Sequence, residues 1–242
     1  MSQMQFHAPP LTKINKILII ASVVGFLGNA IATQAGLSLT PFLGLSLSNI
    51  LAGMVTSLIT YPFIESGFLG FLFSSLLLWF IGSDLEARWG SKFYLKYLAV
   101  IVLGTGLFFV IVLNLFLGIG GTLLGLSSIN YALLLAYGMI YADRYLSFML
   151  IFPIKARYFC LLLVLIELYS AFFSGSRAIA FAHLVSMIFA YIFLKLSSMR
   201  ARGISVEGLM KQRKKEKMRS KLHIVKDEDD GRADPKNPKY WQ

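Results

Sequence analysis

Apolar stretches of about 20 residues, each long enough to cross the hydrocarbon core of a bilayer, recur through the first two hundred positions of this chain. Nothing constrains the fold more. Hydrocarbon offers backbone N–H and C=O groups no partners, so single segments of this kind cross as helices that bond internally. Hydrophobic residues make up 57% of the chain and charged ones 14%, too few polar side chains to clothe a soluble domain of 242 residues. The chain reads as an all-α, polytopic protein whose first partner is the lipid bilayer.

Six spans are expected, near Ile17–Ala35, Gly67–Ile81, Phe93–Leu115, Ser127–Tyr141, Tyr158–Phe173 and Ile179–Leu196. Residues 36–65 are apolar but interrupted by Pro41, Gly44, Asn49, Gly53 and Pro62. Charge decides how to read them. Lys13 and Lys16 precede the first span, and Arg200, Arg202 and the basic run from Lys211 follow the last. Basic flanks mark the cytoplasmic side, so both termini face the cytoplasm and the number of spans is even. Segments 83–92 and 142–157, which hold most of the other basic residues, then also fall inside. Region 36–65 is accordingly expected as an outer loop partly immersed in the membrane, where irregular backbone must be covered by protein or face water.

The same distribution of charge argues against nucleic acid as a partner, because the formal +11 lies largely at the ends and in short connections. The first apolar segment is long and lacks a small-residue cleavage motif, so no cleavable signal peptide is expected. Three parts follow: a short cytoplasmic segment 1–12, a six-span membrane domain 13–198, and a charged, disordered cytoplasmic tail 199–242. Short basic ends without a targeting peptide point to a bacterial inner membrane. The lone Cys160 excludes an internal disulfide and cannot alone build a thiolate metal site. No cofactor or metal is expected.

Ionisable groups inside spans are costly and mark function. His183 is the one histidine of three that falls in a span, since His7 and His223 lie in the termini. With six spans, the fourth and sixth run the same way, from outside to inside. Ser127 and His183 then sit at matching depth, each in the first turns of its helix, where positive dipole ends favour a developing oxyanion. Tyr131 lies one turn below Ser127 on the same side, in reach to stack on the imidazole. Small residues at Ser128, Ala132 and Ala136, and at Ala182, Ser186 and Ala190, permit close helix approach. By spacing alone, these residues read equally well as ordinary helix contacts. Glu167 in the fifth span is either a water-path carboxylate or a hydrogen-bonded structural one, and Glu86 and Arg88 are an ion pair or cap.

The run Gly-Leu-Ser-Ser-Ile-Asn-Tyr-Ala at 125–132 resembles the rhomboid Gly-x-Ser-Gly motif with its tyrosine four residues after the serine. Ala-His-Leu-Val-Ser at 182–186 resembles the histidine helix of that family. Trp79-Phe-Ile-Gly-Ser-Asp-Leu-Glu-Ala-Arg-Trp-Gly-Ser91 resembles the end of its second helix and the loop beyond, and Thr60-Tyr61-Pro62-Phe63 the approach to that helix. The ordered set covers most of 55–196. The resemblance implies a six-helix rhomboid-like bundle that cleaves transmembrane-helix substrates with a Ser–His dyad lacking a third carboxylate. Ser127 would be the nucleophile, His183 the general base, and Tyr131 the ring that orients it. The fifth span and the loop 174–177 would gate substrate access.

Three departures qualify this. The family's His and Asn early in the second span are Gly70 and Ser74 here, and the Ser74 hydroxyl is the substitute candidate for the oxyanion donor. An earlier family histidine is Glu65. The glycine after the nucleophile is Ser128, beside Gly125. Losing an oxyanion donor lowers turnover by about 10²–10³, so the alternative is a rhomboid-like pseudoprotease that binds membrane helices. A small transporter is the alternative from another class, although no internal repeat supports it.

Overall fold

The computed structural model describes residues 10–65, 67–148, 152–175 and 177–201. The chain divides into two units, Met1–Ser197 and Ser198–Gln242. What is described of the second is the end of the last helix, so the tail expected at 199–242 lies outside the described residues from 202 onward, as do residues 1–9.

Helix α1 spans Lys13–Gln34. Its buried residues Asn15, Ser22 and Asn29 are polar and recur every seven positions, while Ile17, Val24, Leu27 and Ile31 are exposed. A soluble helix shows the opposite pattern; facing lipid, the apolar side chains turn outward and the small polar ones mediate contact between helices.

The outer-loop region carries three short helices, α2 (Thr40–Leu43), α3 (Leu47–Leu51) and α4 (Ser57–Thr60), and a 3₁₀ turn Tyr61–Phe63. It is therefore less irregular than its sequence suggests, because helical turns satisfy backbone groups locally. Leu45 and Leu123 exchange both backbone hydrogen bonds, at 3.0 and 2.8 Å. Leu45 and Tyr61 pack with Phe109, Leu113, Leu123 and Ala182 in one buried cluster. Protein thus covers the backbone around Leu45 and Tyr61, while Phe42, Leu51, Val55 and Ile59 stay exposed.

Helix α5 (Phe68–Leu77) continues through a wide π-type turn, Leu78–Gly82, into α6 (Ser83–Trp89). The connection expected at 83–92 is helical as far as Trp89, and the chain reverses at Gly90, whose φ of 79° suits glycine. Helix α7 (Ser91–Phe108) likewise runs into a π-type stretch, Phe109–Phe116. Helix α8 (Ser127–Ile140) is central, with nine of its 14 residues buried. The polar turn expected around Pro153 is an antiparallel hairpin of β1 (Tyr145–Phe148) and β2 (Phe152–Lys155). Proline is tolerated in such a two-stranded ribbon because either strand has a free edge. Helices α9 (Ala156–Phe173) and α10 (Arg177–Ala201) complete the described chain. Apart from the hairpin, it is an all-α polytopic membrane protein.

Among the described residues, five helical segments are long and apolar enough to cross a membrane: Lys13–Gln34, Phe68–Trp89, Ser91–Phe116, Ala156–Phe173 and Arg177–Met199. The sixth expected span is the shorter α8. At about 1.5 Å per residue, α8 is about 21 Å long, less than the roughly 30 Å of hydrocarbon.

Glu86, 3% exposed, secures the first span. Its carboxylate accepts from the Thr12 hydroxyl, Ile14 N–H at 3.2 Å, Asn15 N–H at 3.3 Å, Asn15 Nδ2 at 3.0 Å and Ser91 Oγ at 2.7 Å. It caps the start of α1, satisfying N–H groups the helix cannot, and ties it to the start of α7. Arg88 instead lies over the Tyr141 ring at 5.0 Å. Glu86→Ala orphans this donor set and is expected to cost about 3 kcal/mol. Arg88→Ala is expected to cost less than about 1 kcal/mol. Thermal unfolding in detergent checks both.

Candidate membrane-embedded site

Ser127, Ser128 and Tyr131 lie in the first turns of α8, with Gly125 just ahead of them. Gly125 precedes it with φ 80°, a left-handed conformation that glycine adopts without strain. Its N–H donates to the Tyr61 carbonyl at 2.9 Å. The next N–H, on Leu126, donates to Glu65 Oε1 at 3.1 Å. Ser127 opens the helix and is partly buried. Ser128 is 1% exposed, and its hydroxyl has no hydrogen-bond partner among the described residues.

On α10, the His183 ring stacks on Tyr131, with centroids 4.6 Å apart and planes 27° from parallel. Its Nδ1 lies 3.2 Å from Oε1 of Glu167 on α9, with both side chains less than a tenth exposed. The ring N–H does not align with that oxygen, so the contact is a close approach of imidazole and carboxylate rather than a well-directed hydrogen bond. The Tyr131 hydroxyl also faces the Glu167 carboxylate. Nε2 of His183 is buried and has no partner among the described residues. The Ser127 hydroxyl therefore does not donate to it.

Two carboxylates thus stand at this site. Glu167, beside Nδ1, takes the place that an orienting carboxylate takes in a Ser-His-Asp set, leaving Nε2 for a nucleophile. The resemblance implied a dyad without such a group. Glu65 sits at the positive end of α8. The Ser74 hydroxyl also bonds it, and that bond occupies the group expected to serve as oxyanion donor. Gly70 lies alongside: a Cβ added there would be 3.7 Å from Glu65 Oε2. A Cβ on Gly125 would come within 2.5 Å of Oε1, so glycine at 125 is what admits the carboxylate. Burial pushes the Glu65 carboxyl above its usual range, while the Leu126 N–H and the Ser74 hydroxyl pull it back.

Sequence reasoning noted both glutamates but not their partners. A lone carboxylate and a lone imidazole in successive spans are each costly in hydrocarbon, and pairing them is the natural relief. For Glu65 the signal is fainter: a carboxylate just ahead of a span, with no basic residue close by in sequence. Among the described residues no three His, Cys, Asp or Glu side chains group to hold a metal. Cys160 is buried and donates to the Leu134 carbonyl at 2.9 Å, a structural contact.

Fold and site together define a polytopic helical membrane protein with a polar, ionisable cluster enclosed among its spans. Residues 16–218 match the family described as eukaryotic integral membrane protein (DUF1751), and the chain belongs to that family. No curated protein matches it. The family is eukaryotic, which does not fit the bacterial inner membrane read from the chain's ends. Basic flanks report which side of a bilayer is cytoplasmic; they carry no information about the organism.

Removing one partner of the buried pair strands the other. His183→Leu is expected to destabilise the protein by roughly 3–5 kcal/mol, with the double variant His183→Leu/Glu167→Met returning most of the loss. Ser127→Ala should leave stability nearly unchanged. Unfolding in detergent, followed by circular dichroism, separates these outcomes.

Proposed function

We propose that this chain is a rhomboid-like membrane protein that binds transmembrane helices of other proteins without hydrolysing them, with both termini on the cytoplasmic side. The ordered motifs between 55 and 196 and the even number of apolar segments support the fold and topology. One observation carries the functional reading: the Glu65 carboxylate bonds the Leu126 N–H at 3.1 Å, one residue before Ser127. Peptide hydrolysis by a serine builds negative charge on the carbonyl oxygen, and that charge needs donors beside the nucleophile. Here the donor faces a carboxylate instead, so charge would develop against charge. The second hydroxyl in reach, Ser74, bonds the same carboxylate.

A second reading, intramembrane serine endopeptidase, is favoured by the Tyr131–His183 stack and by Glu167 at Nδ1, which together orient an imidazole toward general-base work. A transporter gains less, because Glu167, the carboxylate it would use in mid-span, already faces His183.

Fluorophosphonate labelling of the purified protein in detergent separates the first two. The non-hydrolysing reading expects no labelling of folded wild type while a working rhomboid protease reacts alongside. Labelling of wild type that is lost in both Ser127→Ala and His183→Ala would establish the peptidase instead. Binding is read separately: photocrosslinks from the exposed Phe172 to a transmembrane-helix peptide in liposomes should persist in Ser127→Ala.

A further inference from the structure

We infer that the start of α8 is an anion site closed by the protein's own Glu65, and that neutralising this side chain releases Ser127 for reaction. The inference rests on the non-hydrolysing reading above and supplies its cause.

The first backbone bond of α8 runs from Asn130 N–H to the Leu126 carbonyl at 2.9 Å. The N–H groups of 127–129 therefore precede the helical ladder and, with that of Leu126, form the positive end of the helix. Such an end binds anions, and one oxygen of Glu65 already lies on it. The carboxylate is held from two helices: Leu126 and Gly125 lie on the α8 side, and the Ser74 hydroxyl and Gly70 on the α5 side.

Two further observations suggest that the site is made for a ligand besides Glu65. The Ser128 hydroxyl, in the same first turn and 1% exposed, has no partner among the described residues, and neither has Nε2 of His183, 7% exposed. Buried polar groups without partners are costly; the first is on the residue next to Ser127, and the second belongs to the ring stacked on Tyr131, one helical turn from that serine. The remainder of a serine-activating set is assembled, with the imidazole stacked on Tyr131 and Glu167 at its Nδ1.

With an alkyl fluorophosphonate the chemistry balances. Ser127 Oγ attacks phosphorus, the O–P bond forms, and the P–F bond breaks to release fluoride. The hydroxyl proton passes to Nε2 of His183, which is uncommitted. Negative charge grows on the phosphoryl oxygen, and the Leu126 N–H that would serve it is the one that Glu65 covers. Glutamine keeps the size of the side chain and a carbonyl acceptor for the Leu126 N–H, but moves aside without displacing a charge.

The test uses the full chain in detergent as wild type, Glu65→Gln and Glu65→Ala, each with and without Ser127→Ala, and reads labelling rates alongside elution and melting profiles. The expected result is labelling of both Glu65 variants roughly a hundredfold faster than wild type and abolished by Ser127→Ala. Folded variants that react no faster than wild type overturn the inference, as does labelling that survives Ser127→Ala. Loss of the folded species in both variants also overturns it, since Glu65 would then be a structural cap and not a removable plug. Rapid labelling of wild type sinks the non-hydrolysing reading alone; the ratio of variant to wild type still decides what Glu65 does.

Discussion

The N–H groups at the start of α8 cannot be left bare. The helix is about 21 Å long against roughly 30 Å of hydrocarbon, so at least one end falls short of the membrane surface. Hydrocarbon itself offers no partners to complete the backbone bonding. Much of the surrounding architecture supplies acceptors. The Tyr61 carbonyl takes the Gly125 N–H and the Glu65 carboxylate takes the next one. For those acceptors to arrive, region 36–65 must fold back against the bundle. It does so through the Leu45–Leu123 backbone exchange and through the Tyr61 hydroxyl, which donates to the Val102 carbonyl at 3.2 Å. Gly125 leaves the space in which the carboxylate lies.

Three buried carboxylates illustrate one rule in different settings. A charge removed from water must be met by opposite charge or by hydrogen-bond donors. Glu86 gathers hydroxyl, amide and backbone donors and joins the first span to the third. Glu167 meets an imidazole. Glu65 meets the positive end of a helix. The first is architectural. The other two bear on the proposed function with opposite sense: Glu167 stands at the imidazole that would activate Ser127, and Glu65 takes the N–H beside that serine which a developing oxyanion would need.

Much of the candidate site was legible before the structure. Matching depth put Ser127 and His183 forward, spacing alone left them readable as ordinary helix contacts, and Tyr131 follows from the helical repeat that places it one turn from Ser127. The stack at 4.6 Å is geometry that this spacing permits. What spacing could not supply were the carboxylate partners. Glu65 lies 61 positions from Leu126, and no local pattern links residues so far apart. Glu167 and His183 sit on different helices, and their contact depends on how α9 and α10 are rotated about their axes.

The sequence by itself determined that this chain lives in a membrane and which segments are apolar enough to lie in it, because length and apolarity act locally and additively. Tertiary structure alone decided which groups meet the N–H beside Ser127. Whether a helix terminus offers its N–H groups to a substrate or to the protein's own carboxylate depends on where a distant loop comes to rest, and only packing sets that.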